Sequence, residues 1–345
     1  MRDPEIILFA PNVNTGGGLL LLSQLLEAGA PRTPALAFLD QRAREQLAIP
    51  AGWRVVWCAP SLNGRLGAEL RLREVSQAKS TILCFHNLPP LLPVRGRVLC
   101  FVQNRIVLLP RESGRKGWVA LRSRLEHLLA TLLRSRIDRY IVQTPSMAAL
   151  VHDWAGDDPV KVSVLPFADR GAMADVSPGP RLFDFIYVSD GLPHKNHRSL
   201  FAAWALLAQE GVQPTLAITL GVTDQEALKA LEAVQHTEDL SITNLGRLDR
   251  TGVDAAYRQS GALIFPSLTE SFGLPLIEAR ERGLPILAGE LDYVRDVCVP
   301  IETFDPRSPR SIARAVKRHL GYGSDPLEPI PATRFWAALD ALPKS

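Results

Sequence analysis

The chain has 345 residues, of which 46% are hydrophobic and 22% are charged. This balance is typical of a globular protein and excludes an intrinsically disordered chain. The length favours two domains of about 150 to 200 residues each. No segment approaches the roughly 18 uninterrupted apolar residues of a membrane span, so we expect no membrane-spanning helix.

The formal net charge of +3 is distributed unevenly along the chain. Up to Arg170 there are 22 Lys and Arg against 14 Asp and Glu, and beyond it 17 against 22, so the two halves carry +8 and −5. A basic N-terminal half predicts an anionic partner, for which a phospholipid surface, a lipid diphosphate and nucleic acid are candidates. Because there is no recognised nucleic-acid-binding module and no basic-aromatic interleaving, we expect no nucleic acid partner.

The cysteines and the N-terminus predict the cellular compartment. Cys58, Cys84, Cys100 and Cys298 lack C-x-x-C spacing, which favours buried, reduced thiols. Residues 1–10 carry acids and lead directly into a strand, without the basic and apolar regions of a signal peptide. We therefore expect a cytoplasmic protein.

The N-terminal half alternates apolar strands with helical segments, which predicts a parallel sheet covered by helices. Its first strand, Glu5–Ala10, precedes a loop over Pro11–Gly18 and a helix over Leu19–Ala28. Further strands are expected at Ala35–Leu39, Arg54–Cys58, Thr81–Phe85, Arg97–Val102 and Arg139–Gln143.

The segment Trp118–Arg136 predicts a basic amphipathic helix. Its leucines recur at helical spacing and are interspersed with arginines: Leu121, Leu125, Leu128, Leu129 and Leu132 with Arg122, Arg124, Arg134 and Arg136. Most such helices pack on their own domain, but this composition also suits an anionic bilayer surface. Peripheral contact with an anionic membrane is therefore a second hypothesis.

A Gly- and Pro-rich stretch, Asp169–Pro180, predicts a hinge, beyond which the alternation restarts. The expected elements are strands at Asp184–Val188, Thr215–Leu220, Ile242–Leu245 and Ala262–Phe265, and helices at Arg198–Gln209, Asp224–Gln235 and Val253–Gln259. We predict domains at residues 1–170 and 171–325, and a C-terminal segment at 326–345 whose helix, Ala332–Leu342, packs back toward the first domain. The expected fold class is α/β, with two doubly wound, Rossmann-like domains facing across a cleft.

The most informative segment is Ala262–Gly283. Its strand ends at Phe265, Pro275 suits a first helical position and Gly283 suits the helix end. The amides near Gly273 would then lie at a helix N-terminus, where free N–H groups and the helix dipole favour an anion such as a diphosphate. Glu270 and Glu278 would flank that site, although an arbitrary pair of glutamates is more often solvated.

The sequence PSLTESFGLPLIEARERGLPI, with seven residues between Glu270 and Glu278, resembles the signature of the retaining glycosyltransferases of family 4, which have the GT-B fold. The resemblance covers residues 184–316. It implies that Glu270 contacts the donor sugar near its reacting centre and that Glu278 binds the ribose of the nucleotide. It places the intervening Ser271, Phe272, Gly273 and Leu274 against the donor.

The segment IYVSDGLPHKNHRSL is similar to the strand-loop-helix of this family that delivers a basic residue to the diphosphate. The matching residue is Lys195, preceded by Gly191, and its ammonium would offset charge on the leaving nucleoside diphosphate. The family commonly has an Arg where this chain has Asp190. His194 could compensate, as could Arg247, which follows Gly246 in a turn resembling the base-contact loop of the family.

In the N-terminal half, Gly17 and Gly18 belong to a loop that resembles the glycine-rich loop of the family, which approaches the donor; a simple tight turn is the alternative. It is not a dinucleotide fingerprint, because Leu21 takes the place of the last glycine. His86, Gln103 and Asn104 follow strands and are candidates for contacting the acceptor. A lone histidine at a strand end is more often a structural hydrogen-bonding residue.

No D-x-D pair is present, so we expect metal-independent transfer and no cofactor. The resemblance implies a retaining transfer from a nucleoside diphosphate sugar to an acceptor hydroxyl. The cytoplasmic location, the basic N-terminal half and the fold together favour a lipid-linked saccharide acceptor in surface polysaccharide assembly, with a soluble acceptor as the alternative. The alternatives are a non-catalytic, membrane-associated partner with a degenerate transferase fold, and a sugar-nucleotide epimerase or phosphorylase with the same fold.

Overall fold

The computed structural model describes residues 4–30, 34–109, 117–168, 180–236 and 240–322. Two parallel sheets organise these residues, in the strand orders β3-β2-β1-β4-β5-β6-β7 and β10-β9-β8-β11-β12-β13. The strands are short and largely apolar, and the central strands β1, β8 and β11 are mostly buried, as expected when helices cover both faces of a sheet.

The first sheet and its helices span residues 6–164. Its strands are β1 (Ile6–Ala10), β2 (Ala35–Asp40), β3 (Trp53–Cys58), β4 (Thr81–Cys84), β5 (Arg97–Phe101), β6 (Arg139–Val142) and β7 (Val162–Val164). Its helices are α1 (Gly16–Glu27), α2 (Leu62–Val75), α3 (Gly117–Leu132) and α4 (Pro145–Ala155). Leu22 of α1 packs with Leu8 on one face, and Leu72 of α2 packs with Phe9 on the other.

The second sheet spans residues 183–304. Its strands are β8 (Phe183–Tyr187), β9 (Leu216–Ile218), β10 (Ile242–Asn244), β11 (Ser260–Phe265), β12 (Ile286–Gly289) and β13 (Glu302–Phe304). Its helices are α5 (His197–Gln209), α6 (Gln225–Gln235), α7 (Arg250–Arg258), α8 (Leu274–Glu281), α9 (Asp292–Val297) and α10 (Pro309–His319). The strand order reverses between β8 and β11, so a crevice is expected beyond their carboxyl ends.

The two domains meet at the loop that precedes α8. Ser271 Oγ accepts a hydrogen bond from Arg105 N at 3.2 Å, and the Thr144 hydroxyl donates to Ser271 O at 3.4 Å. Close by, Ser146 N at the start of α4 donates to Asp296 Oδ2 of α9 at 3.0 Å. These contacts bring the crevice of the second sheet against the first domain.

The structure confirms the predicted fold class, but several boundaries differ. Helix α1 begins at Gly16, three residues before the predicted start, so the glycines form its first turn rather than a loop. Helix α7 also begins three residues early, at Arg250, because Asp249 accepts a hydrogen bond from Gly252 N at 2.7 Å and caps it. Strands β7, β12 and β13 were not predicted.

Some expectations fall outside the described ranges, including most of the predicted hinge and the helix at Ala332–Leu342. The domain limits therefore stay predictions. All four cysteines are free and buried, as predicted. Throughout the described ranges, no helix combines the length and apolar character that crossing a membrane would require.

Candidate functional site

The N-terminus of α8 has the local features of the predicted anion site. Gly273 precedes the helix with a φ of 70°, a left-handed conformation that favours glycine, and among the described residues no side chain caps this end. Pro275 occupies the second helical position rather than the predicted first, which still leaves the helix hydrogen-bonding pattern intact. Gly283, with a φ of 65°, follows the helix as predicted.

Directly beside this helix, Lys195 and Glu270 form an ion pair. Lys195 Nζ lies 2.7 Å from Glu270 Oε1, and the two side chains are only 15% and 13% exposed. The same oxygen accepts a hydrogen bond from the Ser267 hydroxyl at 2.7 Å. The structure therefore brings together the two residues that the sequence predicts to be catalytic, although they lie 75 positions apart.

The loop after β8 holds Lys195 in this place. Asn196 adopts a left-handed conformation with a φ of 63°, and its amide donates to the backbone oxygens of Pro266 at 3.1 Å and Pro306 at 2.6 Å. Tyr187 donates its phenol hydrogen to Lys195 O at 2.8 Å. The backbone oxygen of Lys195 and the side chain of Asn196 are thus hydrogen bonded to residues at or near the ends of neighbouring strands.

Glu278 is held separately, on the inner side of α8. The Tyr257 hydroxyl of α7 donates to Glu278 Oε2 at 3.1 Å. Burial raises the pKa of Glu278 above its usual value, against the opposing effects of the Tyr257 hydrogen bond and the charges of Arg282 and Arg250. The two glutamates therefore have different partners, and their predicted contacts with the sugar and the ribose stay predictions.

The loop around Asp190 lacks the cation that the family commonly has there. Asp190 is exposed and accepts a hydrogen bond from Leu192 N at 3.3 Å. At Gly191 a Cβ atom would lie 2.6 Å from Asp224 Cβ, so close packing by itself requires glycine there. The role of Gly191 in donor binding stays a prediction.

Gly246 and Arg247 lie in the turn after β10. Gly246 has a φ of 73°, and its N–H donates to Asn244 Oδ1 at 3.1 Å. Asn244 also binds the loop after β9 through Leu220 N at 2.9 Å. Arg247 is exposed and lies beside Gly221, at the edge of the crevice.

Gly17 of α1 approaches the second domain, whereas Gly18 lies beside Gln103 of the first domain. A Cβ atom on Gly17 would lie 3.1 Å from Leu274 Cδ1, and one on Gly18 would lie 3.2 Å from Gln103 Oε1. Leu274 also packs against the core of the first domain. A larger residue at position 17 would therefore press on Leu274 of the second domain, and one at position 18 would displace the Gln103 side chain.

Gln103 and Asn104 lie at the end of β5 and are oriented by Asn87, whose importance the sequence did not reveal. Asn87 has a φ of 68°, and its Oδ1 accepts hydrogen bonds from Gln103 N at 2.6 Å and Asn104 N at 2.9 Å. The Gln103 amide donates to Phe85 O at 2.8 Å, while its Oε1 is buried and has no hydrogen-bonding partner among the described residues. The Asn104 side chain accepts from Ile106 N at 3.0 Å.

His86 is engaged within the first domain. Its Nε2 lies 2.8 Å from Arg65 Nη2 and its Nδ1 lies 3.1 Å from Phe9 O. Since arginine only donates, Nε2 accepts and Nδ1–H donates, so the ring is neutral. Burial, followed by the charge of Arg65, holds the pKa of His86 well below its usual value. These contacts fit the structural alternative, and its contact with an acceptor stays a prediction.

Within the residues that the structure describes, no cluster of three or more His, Cys, Asp or Glu side chains has the arrangement of a metal site.

Solved structures share this architecture over nearly the whole chain. Sucrose-phosphate synthase from Thermosynechococcus elongatus superimposes with a TM-score of 0.70 at 17% identity, covering 93% of this chain and 90% of that one. Anabaena HepE in complex with UDP and glucose has a TM-score of 0.68 at 16% identity, covering 92% and 90%. The chain has the GT-B fold.

Residues 178–327 match the family described as glycosyl transferases group 1. This match contains residues 184–316, the segment on which the sequence resemblance rests. The serotype-specific mannosyltransferase WbdA of Escherichia coli is 29% identical over 167 residues, which make up 48% of this chain. The aligned segment covers only 20% of the length of that relative.

Asn87 provides a test of how the first domain forms its side of the cleft. Asn87→Gly keeps the left-handed backbone but leaves two amides without their acceptor, so we expect unfolding to require about 1 to 3 kcal/mol less, measured by urea denaturation. Asn87→Asp keeps the acceptor oxygen and serves as the matched control. Equal stability of Asn87→Gly and the wild type would contradict this role.

Proposed function

We propose that the protein is a retaining, metal-independent glycosyltransferase of family 4. It moves a sugar from a nucleoside diphosphate sugar to a hydroxyl of a saccharide acceptor that is lipid-linked, in surface polysaccharide biosynthesis. The observation that carries the proposal is the Lys195–Glu270 ion pair, whose glutamate precedes Ser271, the residue that contacts Arg105 of the first domain.

The diphosphate would bind the amides at the start of α8, where the helix dipole favours negative charge. Lys195 would exchange its carboxylate partner for a phosphate oxygen, and Glu270 would then accept hydrogen bonds from the donor sugar. Glu278 would bind the ribose. Each group thereby has a ligand of complementary chemistry.

In the reaction, the acceptor hydroxyl attacks the anomeric carbon on the face from which the diphosphate departs. The bond between that carbon and the phosphate oxygen breaks as the glycosidic bond forms, and the hydroxyl proton passes to the departing oxygen. Lys195 offsets the charge that develops there. The remaining residues chiefly hold the two substrates in reacting geometry.

Metal independence rests on what the chain supplies in place of a metal. The sequence has no D-x-D pair, while Lys195 brings a positive charge to the crevice from the protein itself. Arg247, exposed at the crevice edge, is the candidate to replace the arginine that Asp190 displaces.

The choice of substrates draws on the similar proteins. HepE was solved with UDP and glucose, and WbdA is a mannosyltransferase. A hexosyl donor on a nucleoside diphosphate and a polysaccharide precursor as acceptor fit both. Gln103 Oε1 is buried beside Gly18 and has no partner within the described ranges, so a sugar hydroxyl could donate a hydrogen bond to it.

The proposal includes peripheral contact with the inner face of the cytoplasmic membrane. As predicted, Leu121, Leu125, Leu128 and Leu132 share one side of α3, and each is 50% to 66% exposed. Arg122 and Arg124 on the same helix are also exposed, which suits anionic lipid.

Helix α2 adds a second apolar stripe that the sequence did not reveal. Leu62, Leu66 and Leu70 lie one turn apart and are 90%, 53% and 53% exposed. The Glu69 carboxylate accepts from Leu91 N at 2.9 Å, and Arg136, just beyond α3, donates to Pro90 O at 3.2 Å. Helix α2 and the turn that follows α3 therefore contact two adjacent residues, Leu91 and Pro90, and we propose that the leucines of both helices enter one lipid surface together.

The catalytic assignment predicts a separation of binding from turnover. Lys195→Ala should lower kcat by about 100- to 1,000-fold, because charge on the leaving group is no longer offset, and should change donor affinity less. Glu278→Ala should instead weaken donor binding in calorimetry. Turnover is measured in a transfer assay on purified protein. The assay is repeated with EDTA, which should leave the rate of the wild type unchanged.

The matched control is Lys317→Ala, which removes a lysine paired with Glu210 on the surface and should behave as the wild type. Equal turnover of Lys195→Ala and the wild type would reject the leaving-group role. Failure of the wild type to bind any nucleoside diphosphate sugar would favour the degenerate, non-catalytic alternative. Product formed without an acceptor would favour the epimerase.

The membrane contact predicts binding to anionic vesicles in flotation assays. Serine at Leu62, Leu66 and Leu70, or at Leu121, Leu125 and Leu128, should weaken binding to phosphatidylglycerol vesicles by about tenfold or more, since apolar area no longer enters the bilayer. Added salt should weaken the binding of the wild type. Serine at Val222 and Val299, also exposed, is the control. Unchanged binding of both leucine variants would contradict the proposal.

A further inference from the structure

We propose that Tyr257 is a positioning residue that sets the orientation and the charge of Glu278 for donor binding. This inference rests on the proposed function, in which Glu278 binds the ribose. Tyr257 lies on α7, outside the recognised motifs, and its side chain is buried, with only 2% exposed. Its hydroxyl donates to Glu278 Oε2 at 3.1 Å.

The phenol ring is itself fixed by a second contact. The Arg282 guanidinium lies over the Tyr257 ring at 5.2 Å from its centroid. Arg282 in turn donates two hydrogen bonds to Asp254 Oδ1, at 3.0 and 2.8 Å, and one to Glu278 O at 2.8 Å. Tyrosine and arginine thus brace α7 against α8 around Glu278.

In this arrangement one of the two carboxylate oxygens of Glu278 is hydrogen bonded within the protein. Tyr257 occupies Oε2, and among the described residues no hydrogen bond is made to Oε1, which is therefore available for a ribose hydroxyl. A carboxylate that rotated freely would lose conformational freedom on binding, and the Tyr257 hydrogen bond removes that cost beforehand.

The hydrogen bond also favours the charged carboxylate. Burial raises the pKa of Glu278, while the charged and titratable groups facing it act in both directions: Tyr257, Arg282 and Arg250 lower it and Glu281 raises it. Without the hydroxyl the pKa rises further, and the carboxylate becomes protonated at a higher pH. As the pH is lowered, the variant would therefore lose donor binding at a higher pH than the wild type does.

The test is Tyr257→Phe, which removes one oxygen and keeps the ring under Arg282. We expect the KM for the donor, and its Kd in calorimetry, to rise about tenfold, with kcat changed less than twofold. The acid limb of the kcat/KM profile, which reports the free enzyme, should move to higher pH. A residue that only supported the fold would not move that limb.

Tyr140→Phe is the matched control, because it removes a buried phenol oxygen from the first domain. The Tyr140 hydroxyl has no hydrogen-bonding partner in the described structure. This variant should leave KM and the pH profile unchanged. An unchanged acid limb and KM in Tyr257→Phe would overturn the inference. If Glu278→Ala still weakens the donor in that case, the proposed ribose contact stands and only the role of Tyr257 fails.

Discussion

The ion pair between Lys195 and Glu270 is the interaction on which the architecture of the crevice depends. Its two charges come from the ends of β8 and β11, the adjacent strands at which the order of the second sheet reverses. Charges that are largely withdrawn from water are costly unless they are paired and hydrogen bonded. Ser267 meets part of that cost by donating to the same oxygen that Lys195 contacts.

The same requirement explains how the two glutamates of the motif are arranged. Each has one carboxylate oxygen held by a hydroxyl from its surroundings, Ser267 for Glu270 and Tyr257 for Glu278. Tyr293 extends the first of these contacts, since its phenol donates to Ser267 O at 2.6 Å. The motif residues are therefore preorganised by side chains that lie outside the pair itself.

The sequence predicted the parts of the site that depend on local pattern. The strand, turn and helix around Glu270 and Glu278 follow from apolar runs, Gly273 and Gly283, and the resemblance pointed to Lys195. The sequence did not predict contacts between distant segments, because nothing in a single sequence pairs Asn87 with Gln103, Arg65 with His86 or Tyr257 with Glu278. Short strands such as β7 and β13, with three residues each, were also missed.

The start of α1 shows where local helix propensity fails to predict the structure. Three consecutive glycines have low helix propensity, which favoured a loop at Gly16–Gly18. The structure places them in the first turn of α1, where the absence of side chains lets Leu274 and Gln103 approach. Tertiary packing here outweighs local preference.

A crystal structure with a bound nucleoside diphosphate sugar tests the central claim most directly. We expect the diphosphate at the start of α8, with Lys195 Nζ bound to a phosphate oxygen and more than about 4 Å from Glu270. Glu270 should then contact the sugar. A diphosphate bound elsewhere, with the Lys195–Glu270 pair still intact, would contradict the account.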